Sequence, residues 1–272
     1  MPVLALDFDG VISDSATEAF FVALRTYVAL RPGASASLRE TLAGVEAAWA
    51  EGGRAARARV AASELYGAFV DAMPLGNRAE DFGVELAAFD RGLALPSQEA
   101  YDAHARALAD EDPSFAERFH GRFYAERDAL AAADPDGWVG LLGPYPELVA
   151  LLRRRAGART LAIATAKDRP AVERLLAAYG IADLFPPALV LDKEAGRSKR
   201  AHLAALRERT GAAFSDVTFV DDKVNHLEDV APLGVRCALA AWGYNSERER
   251  ARARALGFAV CDLAGAEAAL FG

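Results

Sequence analysis

The chain has 272 residues but only two cysteines, no long apolar run and no excess of basic side chains. Cys237 and Cys261 form neither a disulfide framework nor a four-ligand zinc site, and their apolar neighbours are typical of buried thiols. No apolar run approaches the ~18 residues of a membrane-spanning helix. The N-terminus lacks the basic segment and hydrophobic block of a signal peptide. The sequence therefore predicts a cytoplasmic protein without a membrane partner.

The shortage of positive charge bears on the kind of ligand. There are 31 lysines and arginines against 39 acidic residues, which gives a formal net charge of −8. A non-specific nucleic-acid binder needs an excess of cations, so no nucleic-acid partner is expected. A small anionic substrate responds to local charge and remains compatible with this balance. The 53% of hydrophobic residues is ample for a buried core and excludes a disordered chain.

Lysine itself is scarce and unevenly placed. The only lysines are Lys167, Lys193, Lys199 and Lys223. All four follow predicted strands in the second half, and none lies in the long helical segment that makes up almost half of the chain. Random placement would rarely give this distribution, which indicates that lysine marks positions of chemical use.

Hydrophobic spacing divides the chain into a helical block and an alternating α/β part. An apolar, strand-length run at 3–8 comes first, and residues 15–134 then show helical periodicity interrupted by Pro- or Gly-containing breaks at 31–37, 73–77, 95–97 and 112–114. Further on, short apolar runs alternate with helical segments, as in a parallel sheet covered on both faces. The later predicted strands cover residues 160–165, 188–191, 217–220, 235–240 and 258–260.

The predicted fold class is therefore α/β, a doubly wound, Rossmann-like parallel sheet with an inserted all-helical domain. Residues 1–14 and 138–272 are expected to form the core and residues 15–137 a helical cap. The insertion follows the first strand, beside the carboxyl ends of the strands where open α/β sheets bind ligands. The alternative, an independent N-terminal helical domain, would leave the first strand without a sheet.

Two acids end the first strand. Asp7 and Asp9 are two residues apart and so point the same way. Such close like charges repel unless a cation holds them, and a hard divalent ion such as Mg²⁺ prefers carboxylate oxygens. Gly10 allows close approach of the backbone. By itself this pattern is equally typical of an ordinary turn.

Three later strand–helix junctions add polar groups to the same edge. Thr165 ends the second core strand, Lys199 begins the helix after the third, and Asp221 and Asp222 end the fourth. Because parallel strands share one carboxyl edge, these groups are expected to converge with the first pair of acids.

This constellation resembles the haloacid dehalogenase superfamily, in the branch that is similar to phosphoglycolate phosphatase and β-phosphoglucomutase. The motifs are DFDGVISDS at 7–15, IAT at 163–165, Lys199 at the start of a helix and FVDD at 219–222, in the family's order and spacing. The resemblance covers the predicted core. The insertion matches the family's type-1 helical cap only in position and character.

The resemblance implies the catalytic roles. Asp7 would be the nucleophile that forms an aspartyl phosphate, and Asp9 the acid that protonates the leaving oxygen and then activates water. Thr165 and Lys199 would bind the phosphoryl group, together with Gly10 and Ala166.

It also implies a Mg²⁺ site. Asp7, the backbone carbonyl of Asp9 and Asp222 would hold the ion, with Asp221 as a direct or water-mediated ligand. Because an anionic carboxylate attacks an anionic phosphate poorly, a metal and a lysine are needed to neutralise charge.

Several assignments stay open at this point. Lys199 is preferred as the active-site lysine because it precedes a clean helix, but Lys193 is an alternative. Where many relatives have a third acid, Asn225 could orient a metal-bound water or cap the helix. His226 is interpreted as helix surface or local packing in preference to the alternative, a ligand. Lys167 and Lys223 could add positive charge at the mouth of the site, although solvated loop charge is the simplest interpretation of each. Packing or loop support is predicted for residues 242–244, and an exposed surface position for the arginines at 248, 250, 252 and 254.

The expected function is a Mg²⁺-dependent phosphatase acting on a small phosphorylated metabolite through an aspartyl phosphate. Members that cleave carbon–halogen bonds need no acid at the leaving group, so the presence of Asp9 favours phosphoryl transfer. A phosphosugar mutase on the same core is the alternative, because DGV-x-x-D at 9–14 also occurs in β-phosphoglucomutase-like members. A non-catalytic binding protein is the third reading, and a pure binder would have no need of Asp9.

Overall fold

The chain forms two compact units. A computed structural model describes residues 1–76, 78–196 and 198–272. One unit consists of Met1–Asp14 and Gly143–Gly272, and the other of Ser15–Leu142. No helix within the described ranges is both long and apolar enough to cross a membrane.

The first unit is built on a six-stranded sheet in the order β5-β4-β1-β6-β7-β8, whose paired neighbours all run parallel. A separate antiparallel pair joins β2 to β3. The strands are β1 (Val3–Leu6), β2 (Ser13–Asp14), β3 (Gly143–Pro144), β4 (Thr160–Ala164), β5 (Val190–Leu191), β6 (Val217–Asp221), β7 (Arg236–Ala240) and β8 (Ala259–Cys261). The predicted fold class is confirmed.

Strand β1 lies at the centre of the sheet. Its four residues are all buried, as expected where helices cover both faces. Val3 pairs with Thr160 of β4 on one side and with Val217 of β6 on the other. This register brings the ends of β1, β4 and β6 to one edge of the sheet.

The second unit is helical in all its described residues that have regular structure. Its helices are α1 (Ala16–Leu30), α2 (Ala36–Glu51), α3 (Gly53–Ala61), α4 (Glu64–Ala72), α5 (Ala79–Asp90), α6 (Gln98–Glu111), α7 (Phe115–Ala133) and α8 (Pro135–Leu141). The four predicted breaks separate helices here, although Asn77, in the second of them, lies outside the described residues. Gly52 adds a break that the periodicity did not indicate, since its φ of 124° favours glycine.

In the described part of the first unit, six α-helices accompany the sheet. They are α9 (Pro146–Arg154), α10 (Arg169–Ala178), α11 (Lys199–Thr210), α12 (Val224–Val230), α13 (Glu247–Ala255) and α14 (Ala266–Phe271). Helix α11 illustrates how the residues at its two ends define where a helix begins and ends. The Ser198 hydroxyl accepts a hydrogen bond from the Ala201 amide, and Gly211 ends the helix in the left-handed conformation with φ 69°.

Besides the break at Gly52, two features differ from the sequence expectation. The short β2–β3 pair was not predicted, because two-residue strands carry no periodic signal. The helical unit ends at Leu142 rather than at residue 137. The Asp134 carboxylate accepts a hydrogen bond from the Gly137 amide, and Pro135 occupies the first helical turn. The segment 134–137 therefore starts helix α8 instead of ending the helical unit.

Candidate active site

The first strand delivers Asp7 to the edge of the sheet. The Asp7 amide continues the ladder with a 2.9 Å hydrogen bond to the Val220 carbonyl. Its carboxylate accepts a 2.7 Å hydrogen bond from the Phe8 amide, and the residue is only 8% exposed. The chain then turns sharply at Gly10, which has a φ of 77°. A glycine is needed there for conformation as well as for space.

Lys199 lies directly on Asp7. Its Nζ is 2.6 Å from Asp7 Oδ1, 3.3 Å from Asp221 Oδ2 and 2.7 Å from the Ala164 carbonyl. The N-terminus of α11 places this buried side chain, as predicted for the start of the helix after β5. Lys193, the alternative, is exposed in the preceding turn. The structure therefore brings Lys199, not Lys193, to the acids.

The end of β4 contributes Thr165 and, unexpectedly, Lys167. Thr165 is buried, and its hydroxyl accepts a hydrogen bond from the Lys167 amide at 3.2 Å. Ala166 is exposed at this turn. The Lys167 ammonium lies 3.0 and 3.2 Å from the two carboxylate oxygens of Asp9, and its side chain is only 5% exposed. The interpretation of Lys167 as solvated loop charge is wrong.

Asp221 is enclosed by donors. Its Oδ1 accepts a 2.9 Å hydrogen bond from the Lys223 amide, and His226 Nδ1 lies 3.1 Å from both oxygens. Lys199 approaches from the other side. His226 is thus more than local packing, since its ring is paired with a fully buried acid.

Asp222 faces the turn after β1. Its Oδ2 accepts a 2.8 Å hydrogen bond from the Tyr244 amide. A Cβ at Gly10 would lie 2.5 Å from the same oxygen, so the backbone of the first loop passes directly over this carboxylate. The carboxyl ends of β1 and β6 therefore meet around Asp222.

The charges of the three buried aspartates are balanced unequally. Burial raises the pKa of Asp7 to about 6 although Lys199 opposes the shift, and it raises the pKa of Asp222 to about 7 although Lys223 opposes it. For Asp221 burial is outweighed by Lys199 and His226, which lower its pKa to about 2. The protein's own cations thus neutralise Asp221 well and the other two poorly.

This imbalance fits a divalent cation. Asp7, Asp221 and His226 each present a ligand atom, and these atoms lie within 4.8 Å of one another. Asp221 already has two cationic neighbours, Lys199 and His226, whereas burial disfavours the charged carboxylates of Asp7 and Asp222. Carboxylate oxygens on these two residues form the donor set that a hard ion prefers.

The loop after β7 hydrogen-bonds to Asp222 and to the segment after β1, as expected from the prediction of packing or loop support for residues 242–244. The Trp242 indole donates to the Val11 carbonyl at 3.0 Å, and the Tyr244 hydroxyl donates to Asp14 Oδ1 at 2.9 Å. Lys223 is buried rather than solvated and donates to the Tyr244 carbonyl. Asn225 is exposed in the first turn of α12, whose N-cap is Lys223.

Gly243 permits the closest approach in this loop, and Gly243→Ala tests it. The added Cβ would lie 2.4 Å from the Gly10 carbonyl and 2.4 Å from Asp222 Cβ, so one of the two loops must move. Overpacking of this kind costs about 1–3 kcal/mol. We expect a lower melting temperature and about 10²-fold lower turnover, because a 1 Å displacement at a reactive centre has that effect. Wild-type turnover would show that the contact does not position Asp222.

The structure thus shows an open, parallel α/β sheet with a cluster of buried acids at its carboxyl edge. A family model for haloacid dehalogenase-like hydrolases matches residues 1–228. The chain belongs to this family, and the resemblance seen in its motifs is confirmed. A comparison with curated protein sequences finds no match.

Solved structures of similar fold include three bacterial proteins. A predicted phosphoglycolate phosphatase from Haemophilus somnus 129PT is 18% identical, with a TM-score of 0.57 and coverage of 97% of this chain and 96% of that one. A haloacid dehalogenase-like family protein from Streptococcus pneumoniae is 11% identical, with a TM-score of 0.56 and coverage of 98% and 97%. A predicted phosphatase from Clostridium acetobutylicum is 12% identical, with a TM-score of 0.52 and coverage of 95% and 93%. At these identities the similarity shows the fold alone.

Proposed function

We propose that this hydrolase is a Mg²⁺-dependent phosphatase that cleaves a small phosphomonoester through an aspartyl phosphate on Asp7. The observation that carries the proposal is the buried ion pair between Asp7 and Lys199 at 2.6 Å. A carboxylate paired with a buried ammonium group, beside further acids that need a cation, is suited to attack on an anionic phosphorus. Binding alone would not require this arrangement.

In the first step a carboxylate oxygen of Asp7 attacks phosphorus, and the bond from phosphorus to the ester oxygen breaks. Lys199 offsets negative charge on Asp7 and on the transferring group. The Thr165 hydroxyl, at the end of the neighbouring strand, donates to a phosphoryl oxygen, with Ala166 and Gly10 bordering the same position. Preorganised donors of this kind stabilise the charge that spreads over the equatorial oxygens.

Asp9 acts as the general acid and then as the general base. It protonates the departing ester oxygen, and the resulting carboxylate then removes a proton from the water that hydrolyses the aspartyl phosphate. Lys167 pairs with Asp9 at 3.0 Å and holds its side chain near the end of β4, where Thr165 lies. The second step releases inorganic phosphate and regenerates the Asp7 carboxylate.

Asp7, Asp222 and the backbone carbonyl of Asp9 would hold the Mg²⁺, and Asp221 would complete the site directly or through water. When bound, the ion supplies positive charge that neutralises the phosphoryl oxygens and orients them for in-line attack. The raised pKa values of Asp7 and Asp222 support this assignment.

Hydrolysis of a generic aryl phosphate tests the proposal. We expect release of aryl alcohol and inorganic phosphate in equal amounts with Mg²⁺, and loss of at least about 10²-fold after removal of metal with EDTA, restored by added Mg²⁺. Metal-independent turnover would contradict the cation site. Bisphosphate-dependent isomerisation of a sugar phosphate with little phosphate release would instead identify the mutase. No turnover on any phosphomonoester in a metabolite screen would favour the non-catalytic reading.

We further propose that the helical unit, residues 15–142, acts as a cap that selects the substrate, because it interrupts the chain directly after the first strand and its acidic loop. The partner would be a small phosphorylated metabolite of the cytoplasm. A chimera carrying the insertion of a relative would be expected to change substrate preference while keeping Mg²⁺ dependence.

A further inference from the structure

We propose that Asn245 and Arg250 are positioning residues that hold the cation site in shape by fixing the backbone at Asp222. The inference rests on the proposed function, because it takes Asp222 as a ligand of the divalent cation. Neither residue reaches the site, and both act through Asp222 and the loop that follows β7.

Asn245 is 7% exposed, and its side-chain Nδ2 group donates two hydrogen bonds. The Nδ2 group donates to the Asp222 carbonyl at 3.1 Å and to the Ala240 carbonyl at 2.8 Å. Two carbonyl acceptors on one amide nitrogen fix the orientation of the group, because a flipped amide would place oxygen against oxygen. Asn245 therefore ties the end of β7 to the residue that follows β6.

Arg250 in turn fixes Asn245. Its Nε donates to Asn245 Oδ1 at 2.8 Å, and its Nη2 donates to the carbonyls of Ala241 and Asn245 at 3.0 and 3.1 Å. The three hydrogen bonds depend on the planar, rigid arrangement of N–H donors in the guanidinium group, which lysine does not have. Arg250 is half-buried rather than fully exposed, because its side chain folds back onto the loop.

The same loop also holds the carboxylate of Asp222. Tyr244, the residue before Asn245, donates its backbone amide to Asp222 Oδ2 at 2.8 Å. Tyr244 thus hydrogen-bonds to the side chain of Asp222 and Asn245 to its backbone carbonyl. Arg250 in turn hydrogen-bonds to Asn245. Groups that orient a metal ligand typically account for about 10–100-fold in metal affinity.

Direct binding of Mn²⁺, followed by electron paramagnetic resonance without any turnover, tests the proposal in three variants. Asn245→Ala removes the two donors to the backbone, and Arg250→Lys keeps the charge but loses the fork. Arg254→Met is the matched control, because Arg254 lies on the same helix in an exposed ion pair with Glu247. Each variant is also assayed for phosphate release over a range of Mg²⁺ concentrations.

We expect Asn245→Ala to weaken Mn²⁺ binding about 10–100-fold, Arg250→Lys to weaken it less, and Arg254→Met to match the wild type. Saturating Mg²⁺ should restore phosphate release in the first two variants to within a few-fold, because the change lies in metal affinity and not in the reacting groups. A general loss of packing would not be rescued in this way.

Wild-type Mn²⁺ affinity in both Asn245→Ala and Arg250→Lys would overturn the proposal, as would a loss of turnover that saturating Mg²⁺ does not restore. If Asn245→Ala fails to fold, Arg250→Lys decides, because it leaves the Asn245 amide in place. Failure of the wild-type protein itself to bind Mn²⁺ would instead remove the proposed function, and the positioning role with it.

Discussion

Replacing Asp7 with Asn is expected to lower phosphate release by at least about 10⁴-fold, because loss of a catalytic nucleophile has effects of this size. The amide keeps the shape of the side chain and can still accept a hydrogen bond from the Phe8 amide. It has no negative charge and is a far weaker nucleophile toward phosphorus. The variant should fold, and rapid acid quenching with a labelled substrate should detect no phosphorylated protein.

The matched control is Asp110→Asn, which makes the same change at an exposed position near the end of α6. It should retain wild-type turnover and melting temperature. Retained turnover in Asp7→Asn, or trapping of phosphate on another residue, would refute the assignment of the nucleophile. Loss of folding in Asp7→Asn, checked by circular dichroism, would point to a structural role in the buried pair with Lys199.

The sheet could be predicted because each core strand is a short apolar run that is buried on both faces. Val3–Leu6 is wholly apolar, and Val217–Asp221 is apolar apart from Thr218 and the terminal Asp221, so burial and the position of the edge are both visible in the sequence. The convergence of Asp7 and Asp221 follows from the parallel register, which the alternating pattern already implies. Lys199 was found for the same reason, at the start of a clearly periodic helix.

Contacts made by loops could not be predicted in the same way. Lys167 and Lys223 follow strands, but nothing in their local sequence shows that their ammonium groups are buried against Asp9 and the Tyr244 carbonyl. Arg250 lies in a charged helix whose other arginines alternate with glutamate and alanine. Arg250 differs from these arginines because the loop after β7 lies within hydrogen-bonding distance of its guanidinium group. The scarcity of lysine was the one usable signal, since three of the four lysines are buried near the acids.

Lys199→Met is the second decisive change, and it should affect both activity and stability. Methionine fills a similar volume but leaves Asp7 and Asp221 buried without their shared ammonium group, which lies 2.6 and 3.3 Å from them. Removing one partner of a buried ion pair typically costs about 3–5 kcal/mol. Turnover should fall by about 10³-fold, the loss expected when electrostatic stabilisation of the transferring group is removed.

The loss of stability should depend on pH in a defined direction. Lys199 is a main cause of the low pKa of Asp221, about 2 against an ordinary 3.8. Without it, burial raises the folded-state pKa of Asp221 above its value in the unfolded chain and raises that of Asp7, which is already elevated, still further. The folded variant then binds more protons than the unfolded one, so its stability falls as pH rises above about 4. Urea unfolding at pH 5 and pH 8 should show a larger deficit at pH 8.

Lys193→Met is the control for this change, because Lys193 is exposed and lies six residues earlier in the same segment. It should retain wild-type turnover and the wild-type difference in stability between pH 5 and pH 8. The opposite pattern, with Lys193→Met inactive and Lys199→Met active, would show that the ammonium group on Asp7 in this structure is not the one used in the reaction. Lys199 contacts the acids at the ends of both β1 and β6, so its removal breaks the link between them.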